Sequence, residues 1–259
     1  MMQSTIINGC ALEWQRWPAP EQSQTQLPPL VLLHEGLGSV QTWRGFPAWL
    51  AAQTGCDVIV YSRPGYGHSG PMPLPRTKQY LHVEATEVLP AFVQSLDLPR
   101  PPVLFGHSDG GSIVLLAAAL ADMPLAGVVT MAPHVLVEEA TMAGIRRAGE
   151  RWKQGDEFRQ RLGRYHADVD TVFHTWHDTW LSDWFRDWNI VQDLAKITVP
   201  VLAIQGENDE YATMQQMDLI EAHCGADVKV VKLPDCGHWP QREQPDALLA
   251  AVGEFVARL

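Results

Sequence analysis

Gly106-His107-Ser108-Asp109-Gly110 lies between the apolar run Pro102-Val103-Leu104-Phe105 and the small, apolar stretch Ser112 to Ala121. A Gly-x-Ser-x-Gly pentapeptide therefore joins a predicted strand to a predicted helix, and few folds accommodate that junction. The turn must be sharp enough to lift the serine clear of a sheet. Such a turn strains the serine backbone and leaves no room for side chains two positions away on either side, which is why glycines stand there. The helix that follows would aim its unpaired N-terminal N–H groups and its positive dipole end at the serine, where negative charge develops during acyl transfer. In a chain holding 20 glycines the pentapeptide also arises by chance, so its meaning depends on residues elsewhere.

Around this turn, apolar β-like runs alternate with helical spacing. Thr5 to Asn8 and Leu12 to Trp17 read as a hairpin across Asn8-Gly9. Leu30 to Leu33 reads as a short buried strand, followed by Asp57 to Tyr61, Val103 to Phe105 and Gly127 to Met131. After a long interruption come Pro200 to Gln205 and Val228 to Lys232, while Tyr80 to Leu96 and Pro245 to Leu259 carry helical spacing. This rhythm predicts an α/β class with a mostly parallel sheet flanked by helices. Such sheets place their chemistry on the loops at the carboxyl ends of the strands.

The interruption, about Val135 to Ala195, is rich in charge and tryptophan and has no evident strand. Trp176, Trp180, Trp184 and Trp188 recur every fourth residue, beside Phe173, Leu181 and Phe185, and this predicts a helix with a broad aromatic stripe. Residues 135–195 are expected to form a helical cap over the carboxyl edge of the sheet, with 1–134 and 196–259 forming the core. Most of these tryptophans would hold the cap down. Leu37, Trp176, Trp180 and Trp239 are the candidates to wall an apolar substrate pocket.

Composition excludes several classes. With 259 residues, 46% of them hydrophobic and 19% charged, the chain suits one globular domain with an inserted subdomain. A net charge of −11, with no basic run anywhere, argues against nucleic acid or anionic lipid as a partner. The longest apolar stretch, Ile113 to Ala121, is too short to span a bilayer, and the first residues lack the charged and apolar regions of a secretory signal. The expected location is the cytoplasm. Cys10, Cys56, Cys224 and Cys236 are scattered, so reduced structural thiols are expected rather than a disulfide frame or a zinc site.

A serine hydroxyl is a poor nucleophile at neutral pH and needs a histidine and a carboxylate within reach. Cys236-Gly237-His238-Trp239 follows the final predicted strand, which puts His238 at the same sheet edge as Ser108. Gln205-Gly206-Glu207-Asn208-Asp209 follows the preceding strand, so Asp209 is placed to orient the imidazole and stabilise its charged form. The order Ser, Asp, His, each just past a strand, is the order an α/β-hydrolase requires. Glu207, Glu210 and Asp235 are carboxylates near the same loops; the resemblance to α/β-hydrolases implies Asp209, whose spacing from the strand end is the one that family uses.

The resemblance rests on five ordered segments: the Gly106-His107-Ser108-Asp109-Gly110-Gly111 turn, the Asp209 loop, the Gly237-His238 loop, the His34-x-Gly36 segment and Arg63-x-Gly65-x-Gly67-x-Ser69. Together they resemble a capped α/β-hydrolase of the esterase and lyase type, over nearly the whole chain outside the cap. The resemblance implies Ser108 as nucleophile, His238 as general base and acid, and Asp209 as its orienting residue. Haloalkane dehalogenases and epoxide hydrolases of similar layout carry aspartate at the nucleophile turn, so Ser108 speaks against both. His107 is assigned a structural role and His34 the propping of the oxyanion loop. His174 and His177, with Asp170 and Asp178, match no ligand spacing and are expected at cap or surface positions, so neither metal nor organic cofactor is expected.

An oxyanion hole needs two preset donors. The backbone N–H of Asp109 is one candidate; Gly36 is the other, with Leu37 as the fallback. Glu35 departs from the usual His-Gly-x pattern, and a carboxylate facing a developing oxyanion would oppose catalysis. Either its side chain points away, toward a basic residue such as Arg63, or the loop aligns one residue differently. The Asp109 carboxylate suits a helix N-terminus, and it could also contact a polar substrate group or slow the attack. The expected activity is hydrolysis of a small or medium carboxylic ester, its substrate a small molecule of apolar or aromatic character. Hydrolysis of carbon–carbon bonds, as in meta-cleavage-product hydrolases or the menaquinone-pathway synthase, perhydrolysis, and a slow ligand receptor are the alternatives.

Overall fold

A computed structural model describes residues 1–21 and 27–259 of the chain. Its strands are β1 (Gln3–Ile7), β2 (Cys10–Trp17), β3 (Leu30–Leu33), β4 (Val58–Tyr61), β5 (Val103–His107), β6 (Gly127–Met131), β7 (Val201–Gly206) and β8 (Val228–Leu233). They form one 8-stranded sheet in the order β1-β2-β4-β3-β5-β6-β7-β8. β1 and β2 form the expected hairpin, turning at Asn8 and Gly9, both with positive φ (49° and 81°) as a tight primed turn requires. β2 also runs antiparallel to β4, and every pair from there to β8 is parallel.

The helices are α1 (Phe46–Thr54), α2 (Tyr80–Val83), α3 (Leu89–Ser95), α4 (Asp109–Leu120), α5 (Glu139–Lys153), α6 (Asp156–Gly163), α7 (Val169–Leu181), α8 (Gln215–His223), α9 (Pro240–Glu243) and α10 (Pro245–Val256). The central strands are continuous apolar runs because both faces of the sheet are covered. Alternate residues serve opposite sides. Leu30, Leu32, Val58, Val60 and Phe105 pack with Phe46 and Leu50 of α1 and Leu248 and Val252 of α10. Val31, Leu33, Ile59, Tyr61 and Leu104 pack with Phe92 of α3 and with Ile113 to Ala117 of α4.

Two expectations are corrected. The helix read over Tyr80 to Leu96 is interrupted by a π turn at Glu84–Val88, which ends two residues before Pro90, whose ring cannot complete the regular ladder of hydrogen bonds. The tryptophan stripe belongs to a helix only at Trp176 and Trp180. α7 ends at Leu181, where Ser182 turns to extended backbone, φ −73° and ψ 146°. Trp188 instead stacks on Phe185 at 5.5 Å beyond the helix, and Trp184 is exposed. α5, α6 and α7 all fall between β6 and β7, the interval read as a cap. Trp152 stacks on Phe173 at 3.9 Å to bind α5 to α7.

Among the described residues no helix is long and apolar enough to cross a membrane. Cys10, Cys56, Cys224 and Cys236 are free thiols.

Candidate active site

The β5–α4 junction shows why its sequence takes the form it does. Ser108 holds φ 54° and ψ −116°, a conformation few side-chain-bearing residues adopt. A Cβ on Gly106 would lie 2.0 Å from the Gly110 oxygen, and one on Gly110 would lie 2.3 Å from the Leu33 oxygen. Only glycine fits at either place. Asp109 opens α4, so its backbone N–H has no acceptor within the helix.

His238 follows β8, and its Nδ1 lies 2.9 Å from both carboxylate oxygens of Asp209, which follows β7. The Asp209 side chain is fully buried and that of His238 is 4% exposed, so water competes little for this pair. Burial alone would raise the Asp209 carboxyl. The nearby charge of His238, its hydrogen bond and the Tyr211 N–H at 2.8 Å outweigh that and hold it below its ordinary value. Burial pulls His238 down, while the charge and hydrogen bond of Asp209, with Glu210 and Glu35, lift it above its ordinary value. Glu210, the rival carboxylate, accepts the backbone N–H of His238 at 3.3 Å rather than a ring nitrogen. His107 bonds the carbonyl oxygen of His238 at 2.8 Å and so fixes the loop, not the reacting edge.

His34 joins two loops. Its Nε2 accepts the Arg63 N–H at 3.1 Å and its Nδ1–H donates to the Glu35 carbonyl at 2.7 Å, which defines a neutral imidazole with the proton on Nδ1. Burial keeps it in that state, pushing its pKa well below the ordinary value.

Glu35 departs from expectation. Arg63 donates to its backbone carbonyl at 3.2 Å, while its carboxylate folds back to accept the Leu37 N–H at 2.5 Å and remains in the cavity wall. The Asp109 carboxylate accepts the Tyr80 hydroxyl at 3.1 Å and lies 3.6 Å from the fully buried guanidinium of Arg63.

Ser108, Asp109, Gly36 and His238 line one cavity of about 50 Å³, and Leu37, Trp176, Trp180 and Trp239 complete its wall. Trp176 presses on the Gly36 loop: a Cβ on Gly36 would lie 2.4 Å from its ring. Among the described residues no hydrogen bond joins Ser108 Oγ to His238, although both border this space. Glu35, His134, Ile145 and Tyr211 also line the cavity and were not singled out from the sequence as pocket residues. His134 could have been, since it follows β6 at the same sheet edge; burial and the charge of His238 push its pKa down to about 4, so it stays neutral. His174 and His177 lie on α7 and meet Asp178, and Asp170 pairs with Arg159; among the described residues no cluster is arranged to hold a metal ion. A larger groove, about 570 Å³, runs past Pro102 and Pro124 at the opposite edge of the sheet, and among the described residues no serine, histidine or cysteine lines it.

The sheet order, the serine turn and the two loops past β7 and β8 define a class, and comparison with known proteins gives the same answer. The model of the alpha/beta hydrolase family matches residues 30–252, and the chain belongs to that family. Similar solved structures include a proline iminopeptidase from Mycobacterium smegmatis, 22% identical, covering 100% of this chain and 98% of that one, with a TM-score of 0.78. A serine hydrolase involved in carbazole degradation is 17% identical over 100% and 99% of the two chains, with a TM-score of 0.77. A thermophilic esterase from Thermogutta terrifontis is 18% identical over 100% and 98%, with a TM-score of 0.73. At these identities the likeness is one of fold. No curated protein sequence matches the chain.

Proposed function

We propose that this protein is a serine hydrolase that cleaves small carboxylic esters through an acyl-enzyme on Ser108. The observation that carries the reading is the buried Asp209–His238 pair, 2.9 Å apart, whose imidazole borders the same cavity as a serine held on a strained turn. His238 takes the Ser108 proton as Oγ attacks the ester carbonyl, then returns it to the departing alcohol; water reverses the sequence and frees the enzyme. Asp209 keeps the imidazole oriented and stabilises its charged form. The oxyanion is received by the backbone N–H groups of Asp109 and Gly36, because the alternative donor, Leu37, is already engaged by Glu35. The contact from Ser108 to His238 closes when substrate fills the cavity, as catalytic hydrogen bonds commonly tighten in the complex.

The cavity of about 50 Å³ is far below the roughly 300–1,000 Å³ of a drug-sized ligand site, which favours a short acyl group. A medium-sized ester requires α7 to move, carrying Trp176 and Trp180 with it as a lid. Among the described residues no lysine or arginine lines the cavity, which disfavours the carboxylate-bearing ring-fission products of the carbon–carbon hydrolase alternative. The test is a panel of p-nitrophenyl acetate, butyrate and longer esters, with a ring-fission product alongside. The reading expects turnover falling with acyl length and abolished in Ser108→Ala. Cleavage of the ring-fission product in preference to the esters overturns it.

A further inference from the structure

Glu35 poses a problem that its own loop does not solve. The residue is 7% exposed and lines the cavity with Ser108 and His238. One carboxylate oxygen takes the Leu37 N–H at 2.5 Å; among the described residues the other has no hydrogen-bond partner. Gly36, the neighbouring residue in the chain, supplies a proposed oxyanion donor, so the carboxylate sits within a few ångströms of where negative charge must develop. Two like charges that close in a largely buried site oppose each other, and the barrier rises unless the carboxylate is neutralised.

The resident groups neutralise it poorly. Arg63 spends its Nη2 on the Glu35 carbonyl and the Asp109 carboxylate, and Arg242 stands behind Trp239, stacked on its ring at 4.4 Å. Neither arginine lines the cavity; the other side chains there that can carry charge or hydrogen bonds are His134, His238, Tyr211, Asp109, Ser108 and the tryptophans. Burial outweighs the Leu37 N–H and the charges of Arg242, His238 and Arg63, and lifts the Glu35 carboxyl above its ordinary value. A cation brought by the substrate satisfies the free oxygen and removes the repulsion on the oxyanion in one contact.

We infer that Glu35 is a specificity-determining residue that selects acyl groups bearing a protonated amine close to the scissile carbonyl, an inference that rests on the hydrolase reading above. The amine is small and near the carbonyl because Glu35 adjoins Gly36 and the cavity is narrow. α-Amino esters fit this description; carboxylate-bearing acyl groups are rejected by the same side chain.

Methyl alaninate and methyl isobutyrate differ only by an ammonium in place of a methyl group. Their kcat/KM values are measured at pH 7 for the wild type and for Glu35→Gln, so that the intrinsic reactivity of the two esters cancels between enzymes. The alaninate-to-isobutyrate ratio is expected to fall by about tenfold or more in Glu35→Gln, the discrimination given by a buried charge-assisted contact. A ratio that moves less than about threefold, with isobutyrate still cleaved, overturns the inference and leaves the hydrolase reading standing. If neither ester is cleaved and Ser108 resists a fluorophosphonate, the hydrolase reading fails and the inference with it. Should Glu35→Gln not fold, the wild type decides: isopropylammonium is expected to inhibit p-nitrophenyl acetate hydrolysis at concentrations at least tenfold below those isobutyrate ion requires, and equal or reversed potency overturns the inference.

Discussion

Replacing Ser108 by glycine should stabilise the protein relative to replacing it by alanine, although both variants lack the proposed nucleophile. The reasoning starts from φ 54° and ψ −116° at this residue, imposed by the turn between β5 and α4. Holding a residue with a Cβ in such a conformation costs about 1–3 kcal/mol. Glycine escapes that cost but gains freedom in the unfolded chain, which returns about 0.4–1 kcal/mol. The net advantage of Ser108→Gly over Ser108→Ala is therefore about 1.5 kcal/mol, or roughly 3–6 °C in Tm for a chain of this size. Comparing the two variants with each other removes the effect of the lost hydroxyl. Urea or thermal unfolding provides the measurement, and an alanine variant as stable as the glycine variant would refute a strained serine turn.

Three further outcomes follow from the site. Asp209 lifts His238 above its ordinary pKa, and the base must be unprotonated, so kcat/KM should rise with pH through a midpoint above about 6.5; Asp209→Asn should lower that midpoint and cut the maximal rate by on the order of 10²–10⁴. Gly36→Ala drives a Cβ to 2.4 Å from the Trp176 ring, so it should reduce kcat/KM by about tenfold or more, and by much less in a Trp176→Ala background, which a double-mutant cycle will show. Trp180 is 1% exposed and packed 5.0 Å from Phe185 and 5.8 Å from Trp188, so Trp180→Ala should destabilise the protein by about 3–5 kcal/mol in denaturant titration.

The sheet was readable because buried parallel strands leave unbroken apolar runs such as Leu30 to Leu33 and Val58 to Tyr61, bounded by polar loops. The Asp209–His238 pair was readable for a related reason: a residue just past a strand in a parallel sheet must emerge at the carboxyl edge, whatever the rest of the chain does. Helical spacing was a weaker guide. Trp184 and Trp188 keep the period of α7, yet the chain leaves the helix at Ser182, because the aromatic contacts of Trp188 with Phe185 are made by a turn and not by another helical turn. The spacing over Tyr80 to Leu96 likewise carried no sign of the π turn at Glu84–Val88. The orientation of the Glu35 carboxylate depends on the fold of the loop after β3 and could not be read from residue types, nor could the reach of Tyr211, two residues beyond Asp209, into the cavity.

The central claim is that His238 activates Ser108, and it is tested most directly by peptide-resolved mass spectrometry after exposure to a fluorophosphonate. The account predicts a single adduct on Ser108, formed quickly in the wild type and at a rate reduced by at least a hundredfold in a folded His238→Ala variant. An unlabelled Ser108, or labelling that proceeds equally fast without His238, would contradict it.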